Sequence, residues 1–553
     1  LAQPLDDAEI LKAVRRLLEY GVRRVCVSLQ GGFYDSKDEK AIQKLIEAHY
    51  PDHALGSVPV LVGSDICRYP DDMTRTHYAL INAYVHAPLA TSVFKAEDEL
   101  RYTHSYNKPL LIGHNNGGAA RVSKTRAIDT LESGPTFGVF ASAFYAKKYG
   151  LSKVIAFDVG GTTTKVGIII NGEPLLTRDG DLFGIPIRTP TVMLRSIALG
   201  GGSVVRVDGS SKQLRIGPDS MGAYPGPACY DLGGEEATLT DAFVTLGLIN
   251  PDYFLGGTKR LNRGRAREAL GEQVARPLGL SVEQAANQVL ERSFQTVGQT
   301  IVDTLEAAKL NPRDFALFAF GGNGAIFACG VAEKAGIERA HTFSLGSVFS
   351  AFGSSIADIA HVYEHALLAP LLPMPDLEKI NAVLDSMREE ALRDMRGEGL
   401  DVAKVSLSPT FEVGDGQNAP VTIDVPFTRI EGQGELKTIL DYYDKLAPSS
   451  YSRERVIVDL VRLRATYPVA GYEPSPQAPA EAGAEDAIKE QRPVYWTGEA
   501  SATNVYDWDA LRCANVVRGP AIAEGRSTTY VVRPSWELRV DDYLNGVLTK
   551  RGE

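Results

Sequence analysis

The chain of 553 residues is long enough for roughly two to four domains with buried cores, and 44% hydrophobic with 23% charged residues is ordinary globular composition. A formal net charge of −11 without any Lys/Arg-rich run argues against a mainly electrostatic nucleic-acid binder. The five cysteines are scattered without a C-x-x-C pair, no apolar run approaches the ~18 to 20 residues of a membrane span, and the start LAQPLDDAEI lacks a basic then apolar leader. The expectation is a cytoplasmic protein with no disulfide scaffold, no cysteine zinc site and no membrane partner.

Residues 5 to 20 carry apolar positions at helical spacing behind an acidic start, and Gly21 ends that helix. A strand (VRRVCVSL), a helix (DEKAIQKLIEAHY) and a second strand (VPVLVGSD) follow, and this alternation predicts a sheet flanked by helices, an α/β class. RYPDDMTRTHYALINAYV, within residues 68 to 100, predicts a helix with Arg75 and His77 on its solvated face. LLIGHNNGGAARVS (residues 110 to 123) is a strand running into a polar loop. Loops at strand carboxyl ends collect ligands, so His114, Asn115 and Asn116 are candidates for substrate contact, although Asn and His also form loops without any role.

The chain is organised around VIAFDVGGTTTKVGIII (residues 154 to 170), an apolar strand ending at Asp158, a Gly160-Gly161 turn, three threonines and a second β-rich run. Glycines let backbone N–H groups approach a phosphate, Thr162 and Thr163 add hydroxyls, and an aspartate at a strand end holds a hydrated divalent cation. A nucleoside triphosphate with Mg2+ (or Mn2+) is the expected ligand, with Asp158 as metal ligand; an ordinary hairpin is the competing reading. ALGGGS (198 to 203) adds Gly201, Gly202 and Ser203, readable as a flexible loop or as a nucleotide contact. Asp241 in TLTDAF opens a helix, where a carboxylate serves equally as a cap or as a catalytic or magnesium-binding group. Residues 281 to 309 predict a long amphipathic packing helix. ALFAF then meets Gly321-Gly322-Asn323-Gly324 at the start of a helix, so that backbone N–H groups face a nucleotide. Beyond residue 371 a charged helix, short alternating segments, a Pro/Ala/Glu-rich stretch at 473 to 492 and a tryptophan-containing β module suggest a mostly β domain with a linker; Trp496, Trp508 and Trp536 fit a subunit contact or, more commonly, a β core.

These motifs, taken in order with ESGPTFGVFASAFYAKKYG (132 to 150) and MGAYPGPACYDLGG (221 to 234), resemble the ATP-binding subunits of the hydantoinase, oxoprolinase and ketone carboxylase family. The resemblance implies an actin/hexokinase-like (ASKHA) ATP-binding fold, divided as 1–85 (remainder of an N-terminal lobe), 86–370 (ATP-binding core) and 371–553 (C-terminal β-rich domain). It also implies that a first D-x-G-G-T loop belongs before Leu1, and that the residue 321–324 loop lies on the adenosine side. The implied chemistry is phosphoryl transfer with ATP and a divalent cation, a second large hydantoinase B-like subunit and further small subunits as partners, and a small-molecule substrate. The chain departs from the family pattern at Lys165 (commonly Asp), Tyr224 (commonly Asp), Ala325 (commonly Pro) and Phe327 (commonly His). Lys165 is a candidate partner for phosphate or for another carboxylate, with a solvent-facing lysine as the competing reading, and Tyr224 a candidate contact for an apolar or aromatic substrate, with simple packing as the alternative. The expectation is a subunit of an acetophenone- or acetone-type ketone carboxylase. The alternatives are a cyclic amidase subunit acting on hydantoins, oxoproline or lactams, and a non-catalytic nucleotide-binding scaffold.

Overall fold

The computed structural model describes residues 4–177, 180–182, 185–187, 191–469, 471–481 and 483–552. It divides into two units, the first made of residues 1–133, 177–191 and 357–471, the second of 134–176, 192–356 and 472–553.

In the first unit, the helix Asp7–Glu19 begins where Asp6 caps the amides of Ala8 and Glu9. It packs near the helix Lys37–His49, beside a parallel strand pair, Val25–Val27 with Val60–Val62. The helix expected within residues 68 to 100 runs over Asp72–His104, and its first turns correct one expectation. Arg75 is fully buried, not on a solvated face: its Nη1 lies 2.5 Å from Glu39 Oε1, and Nη2 reaches Asp72 at 3.1 Å and the Leu29 carbonyl. Glu39 in turn accepts from the amides of Leu29 (2.8 Å) and Ser64 (3.0 Å). Burial favours its neutral form, yet these hydrogen bonds and the guanidinium hold its carboxyl below the usual range. His77 stays partly exposed. The unit also holds an antiparallel sheet in the order Ile359–Leu372, Val456–Tyr467, Ser406–Gly414, Val421–Asp424, whose apolar face (Phe411, Val458, Val461) shares a core with Ile380 and Leu384 of the helix Leu377–Gly397.

The second unit is built on a nine-stranded mixed sheet. Its middle is the parallel run Lys153–Val159, Ala316–Phe320 and Arg339–Thr342, with Thr164–Ile170 antiparallel to the first of these. A strand covered on both faces reads as a continuous apolar run. Ile155, Phe157 and Val159 point into one core, with Phe294 and Val297 of the helix Val282–Ala307, while Val154 and Ala156 point into an aromatic core with Tyr145, Phe343 and Phe349. By its contacts the chain end groups with this unit. Strands Gly546–Lys550, Trp536–Val540 and Val516–Arg518 extend the same sheet beyond Arg339–Thr342. The stretch expected to be a linker runs into Ile488–Tyr495, a strand of a second, four-stranded sheet, and its Gln477 and Ala480 donate backbone bonds to Asp542 (2.7 Å) and Cys513 (3.0 Å). This is an edge strand, and it exposes half of its side chains. Trp536 is fully buried with Nε1 donating to Glu333 (2.7 Å), and Trp508 stacks on Tyr530 at 3.8 Å, so both are core residues.

Candidate functional site

Strands Lys153–Val159 and Ala316–Phe320 are parallel, so the turns that follow them emerge at the same carboxyl edge of the sheet. Gly160-Gly161 and Gly321-Gly322 therefore meet, and the Gly200–Gly202 turn joins them. The contact is made by backbone: Gly201 N donates to Gly160 O (3.1 Å) and Gly202 N to Gly161 O (2.5 Å), while Asn323 N donates to Val159 O (3.0 Å). Asn323 Nδ2 adds a bond to Gly160 O at 3.0 Å. Glycine is required at two of these positions. A Cβ on Gly321, whose φ is +80°, would fall 2.3 Å from Asp158 Oδ1, and one on Gly200 would fall 2.6 Å from Thr162 N. Gly324 then opens the helix Gly324–Ala335, whose first amides lie beside this junction.

Asp158, next to last in its strand, lies opposite Lys165 on one side and Phe320 on the other. Burial pushes its carboxyl up to about 6, against the pull of the Lys165 ammonium. Thr162 is exposed, its Oγ1 accepting from Ser220 Oγ at 3.4 Å; Thr163 is partly exposed; Thr164 turns inward and bonds Leu199 O at 2.7 Å. Ser203 is buried, and its Oγ accepts from Gly200 N at 2.8 Å. Beside Gly322 and Asn323 opens a cleft of about 40 Å³, walled by Tyr253, Phe254 and Ser527 to Thr529. Thr528 Oγ1 donates to Gly322 O at 3.2 Å.

Asp241 is the cap of the two readings offered for it. It is fully buried, and its oxygens accept from Cys229 N (2.7 Å), Thr238 N (2.9 Å), Thr238 Oγ1 (2.7 Å) and Ala228 N (3.3 Å), a capping box at the start of the helix Leu239–Leu246. A carboxylate so enclosed reaches no open site. Its neighbour Thr240, not singled out from the sequence, donates its Oγ1 to Gly201 O at 2.8 Å and so ties this helix to the glycine junction; the signal was its place within TLTDAF.

Tyr224 is 81% exposed, on a loop anchored by Met221 N to Gly202 O at 2.9 Å. His114, Asn115 and Asn116 belong to the other unit. There His114 Nε2 contacts Thr125 Oγ1 at 3.1 Å, Asn115 donates to Ile128 O at 3.4 Å, and Asn116 accepts from Gly118 N at 2.9 Å. Among the described residues no group of three or more His, Cys, Asp or Glu side chains forms a metal site. The single carboxylate of Asp158 nevertheless suits a cation that arrives on a triphosphate, which takes one or two protein carboxylates and fills its remaining positions with phosphate oxygens and water.

The fold is mixed α/β, with glycine turns and a helix start gathered at strand carboxyl ends, a place where α/β folds commonly hold anions. The Hydantoinase/oxoprolinase family model matches residues 75–363, and that of the Hydantoinase/oxoprolinase C-terminal domain matches 374–545. The chain belongs to the hydantoinase/oxoprolinase family. It is 32% identical to the acetophenone carboxylase gamma subunit of Aromatoleum aromaticum, over 99% of this chain and 77% of that protein. A nucleotide-free structure of acetone carboxylase, from work on ATP-dependent acetone carboxylation, superposes with a TM-score of 0.86 at 26% identity, covering 99% of this chain and 79% of that one. The crystal structure of ATP-dependent caprolactamase from Pseudomonas jessenii gives 0.77 at 27% identity, covering 99% and 80%. No helix among the described residues is long and apolar enough to cross a membrane.

Proposed function

We propose that this chain is the ATP-binding, phosphoryl-transferring subunit of a multi-subunit ketone carboxylase of the acetophenone or acetone type, with an ASKHA-type core. The observation that carries this reading is the convergence of three glycine turns on Asp158, supported by the likeness to the acetophenone carboxylase gamma subunit. In phosphoryl transfer the protein supplies position and charge more than covalent chemistry. The Gly161 amide with the Thr162 and Thr163 hydroxyls would meet the β- and γ-phosphates, the amides of Gly160, Gly201 and Gly202 being used to hold the turns in place, and Lys165 adds a cation. Gly321 to Gly324 and the adjoining cleft bound the ribose and base. Asp158 would hold Mg2+ or Mn2+, which supplies neutralisation of the phosphate charge. Transfer to an enolate or to bicarbonate readies the carbon–carbon bond formed with a second, hydantoinase B-like subunit. Tyr224, exposed beside the Gly202 turn, is the substrate contact this reading assigns to the same unit.

A cyclic-amide hydrolase subunit is the second reading, favoured by the likeness to caprolactamase. Purifying the chain with its partners and measuring ATP consumption tests both. Stimulation by ketone plus bicarbonate supports the carboxylase, stimulation by a lactam or hydantoin replaces it with the amidase, and turnover unaffected by Asp158→Asn would leave a scaffold.

A further inference from the structure

The strand Val456–Tyr467 lies between Ser406–Gly414 and Ile359–Leu372, and both of its ladders break at the same residue. Val458 pairs with Val413 on one side and Ala369 on the other, Leu460 pairs with Glu412 and Ala366, and Asp459 between them has no counterpart in either ladder. Leu368, in the bulge across from it, takes the left-handed conformation at φ +48°, which is rare for a bulky side chain. Asp459 lines a cavity of about 860 Å³ within the first unit, with apolar walls of Pro70, Leu368, Pro370, Leu372, Pro420 and Ile457. A volume of this order holds a small organic molecule, and proline and aliphatic walls suit an apolar body.

Asp459 is 9% exposed, yet among the described residues its carboxylate has no hydrogen bond and no ion pair. Buried carboxylates are ordinarily supplied with both. Its neighbours have none to give: Glu412 is taken by Arg462 (3.3 Å), and Asp415 accepts from the amides of Gln417 (2.9 Å), Asn418 (2.9 Å) and Ser452 (3.1 Å). Burial, and then the charges of Glu412 and Asp415, push the Asp459 carboxyl up to about 7. Two other charged residues line the cavity. Asp71 accepts from Thr74 N at 2.8 Å as the cap of the helix Asp72–His104. Arg455 stands farther along the same wall: a Cβ on Gly416 would fall 3.6 Å from its Nη2, whereas one on Gly414 would fall 2.9 Å from Asp459 Oδ2. Its guanidinium is not among the charges that act on Asp459, which are both negative. One unmatched carboxylate, with only like charge acting on it, thus meets apolar walls, and the group that matches it is a cationic N–H donor.

We propose that this cavity binds a small organic amine, its ammonium group held by Asp459 and its apolar body lying against Pro370, Leu372, Pro420 and Ile457. The site belongs to the other unit from the glycine turns and does not depend on their role. The test is calorimetric titration of the whole chain with 2-phenylethylamine at pH 8, where Asp459 is ionised. Controls are 2-phenylethanol and 3-phenylpropanoate, which carry the same ring without a positive charge. The amine binds at a single site, the alcohol roughly tenfold more weakly, and the carboxylate does not bind. Asp459→Asn and Asp459→Ser each remove an uncompensated buried charge, so both fold, and each weakens the amine by roughly tenfold. Arg455→Gln leaves the amine's affinity unchanged. Absence of amine binding, equal binding of the alcohol or of the carboxylate, full amine affinity in both Asp459 variants, or an equal loss in Arg455→Gln overturns the proposal.

Discussion

The glycine junction of the second unit and the polar interior of the first solve the same problem, holding polar groups in place away from bulk water, by opposite means. At the junction the working groups are backbone amides and carbonyls, and side chains are excluded: a Cβ at Gly321 or Gly200 has no room. In the first unit the working groups are charged and ring side chains, matched pair by pair, from the buried Arg75 and Glu39 to Arg126 with Asp129. A backbone site is broken by adding atoms, whereas a side-chain network is broken by removing one partner.

The largest effect is expected in the first unit. Arg75→Met leaves Glu39 buried without its cation and should cost about 3–5 kcal/mol in urea unfolding followed by probes in each unit. The held-down carboxyl of Glu39 stabilises the fold above its unfolded-state pKa, and that contribution fades as the pH falls. The loss in Arg75→Met should therefore shrink under acid conditions; a pH-independent loss would mean that packing, not charge, is at stake. Next, Gly321→Ala combines a left-handed backbone with a contact at 2.3 Å and should cost about 2–4 kcal/mol in the second unit while abolishing nucleotide binding. A variant of ordinary stability would show that the junction tolerates side chains after all. The smallest effect has the opposite sign. Asp158 has its pKa raised to about 6, so ionising it opposes folding as the pH rises from the unfolded value through 6. Asp158→Asn should accordingly raise stability by about 1–2 kcal/mol at pH 8, with the gain vanishing near pH 4, in nucleotide-free thermal melts.

The same contrast explains what could be read from the residues alone. The strand-turn-strand from Val154 to Ile170 and the turn after Phe320 are local: a doubly covered strand is a continuous apolar run, and the glycines that follow it are contiguous. Thr238 three residues before Asp241 is a capping-box spacing, so the cap was legible too. Arg75 was not, because helical periodicity identifies an apolar stripe but not the single polar residue on it whose partner lies 36 residues away. The cavity gathers residues from Tyr69 to Asp459, and its character rests on a carboxylate left without a partner where two ladders break, a property of neighbours rather than of spacing. The pairing of Gly546–Lys550 with Arg339–Thr342 some two hundred residues earlier was not legible, because nothing local announces such pairing.

The account depends on a triphosphate resting where three glycine turns meet. Hydrogen exchange of the whole chain with and without saturating Mg·ATP tests this most directly. The amides of residues 158–163, 199–203 and 321–326 should gain protection together, and Gly321→Ala should remove the effect from all three. Protection confined to other segments, or no change in these three at saturation, would contradict it.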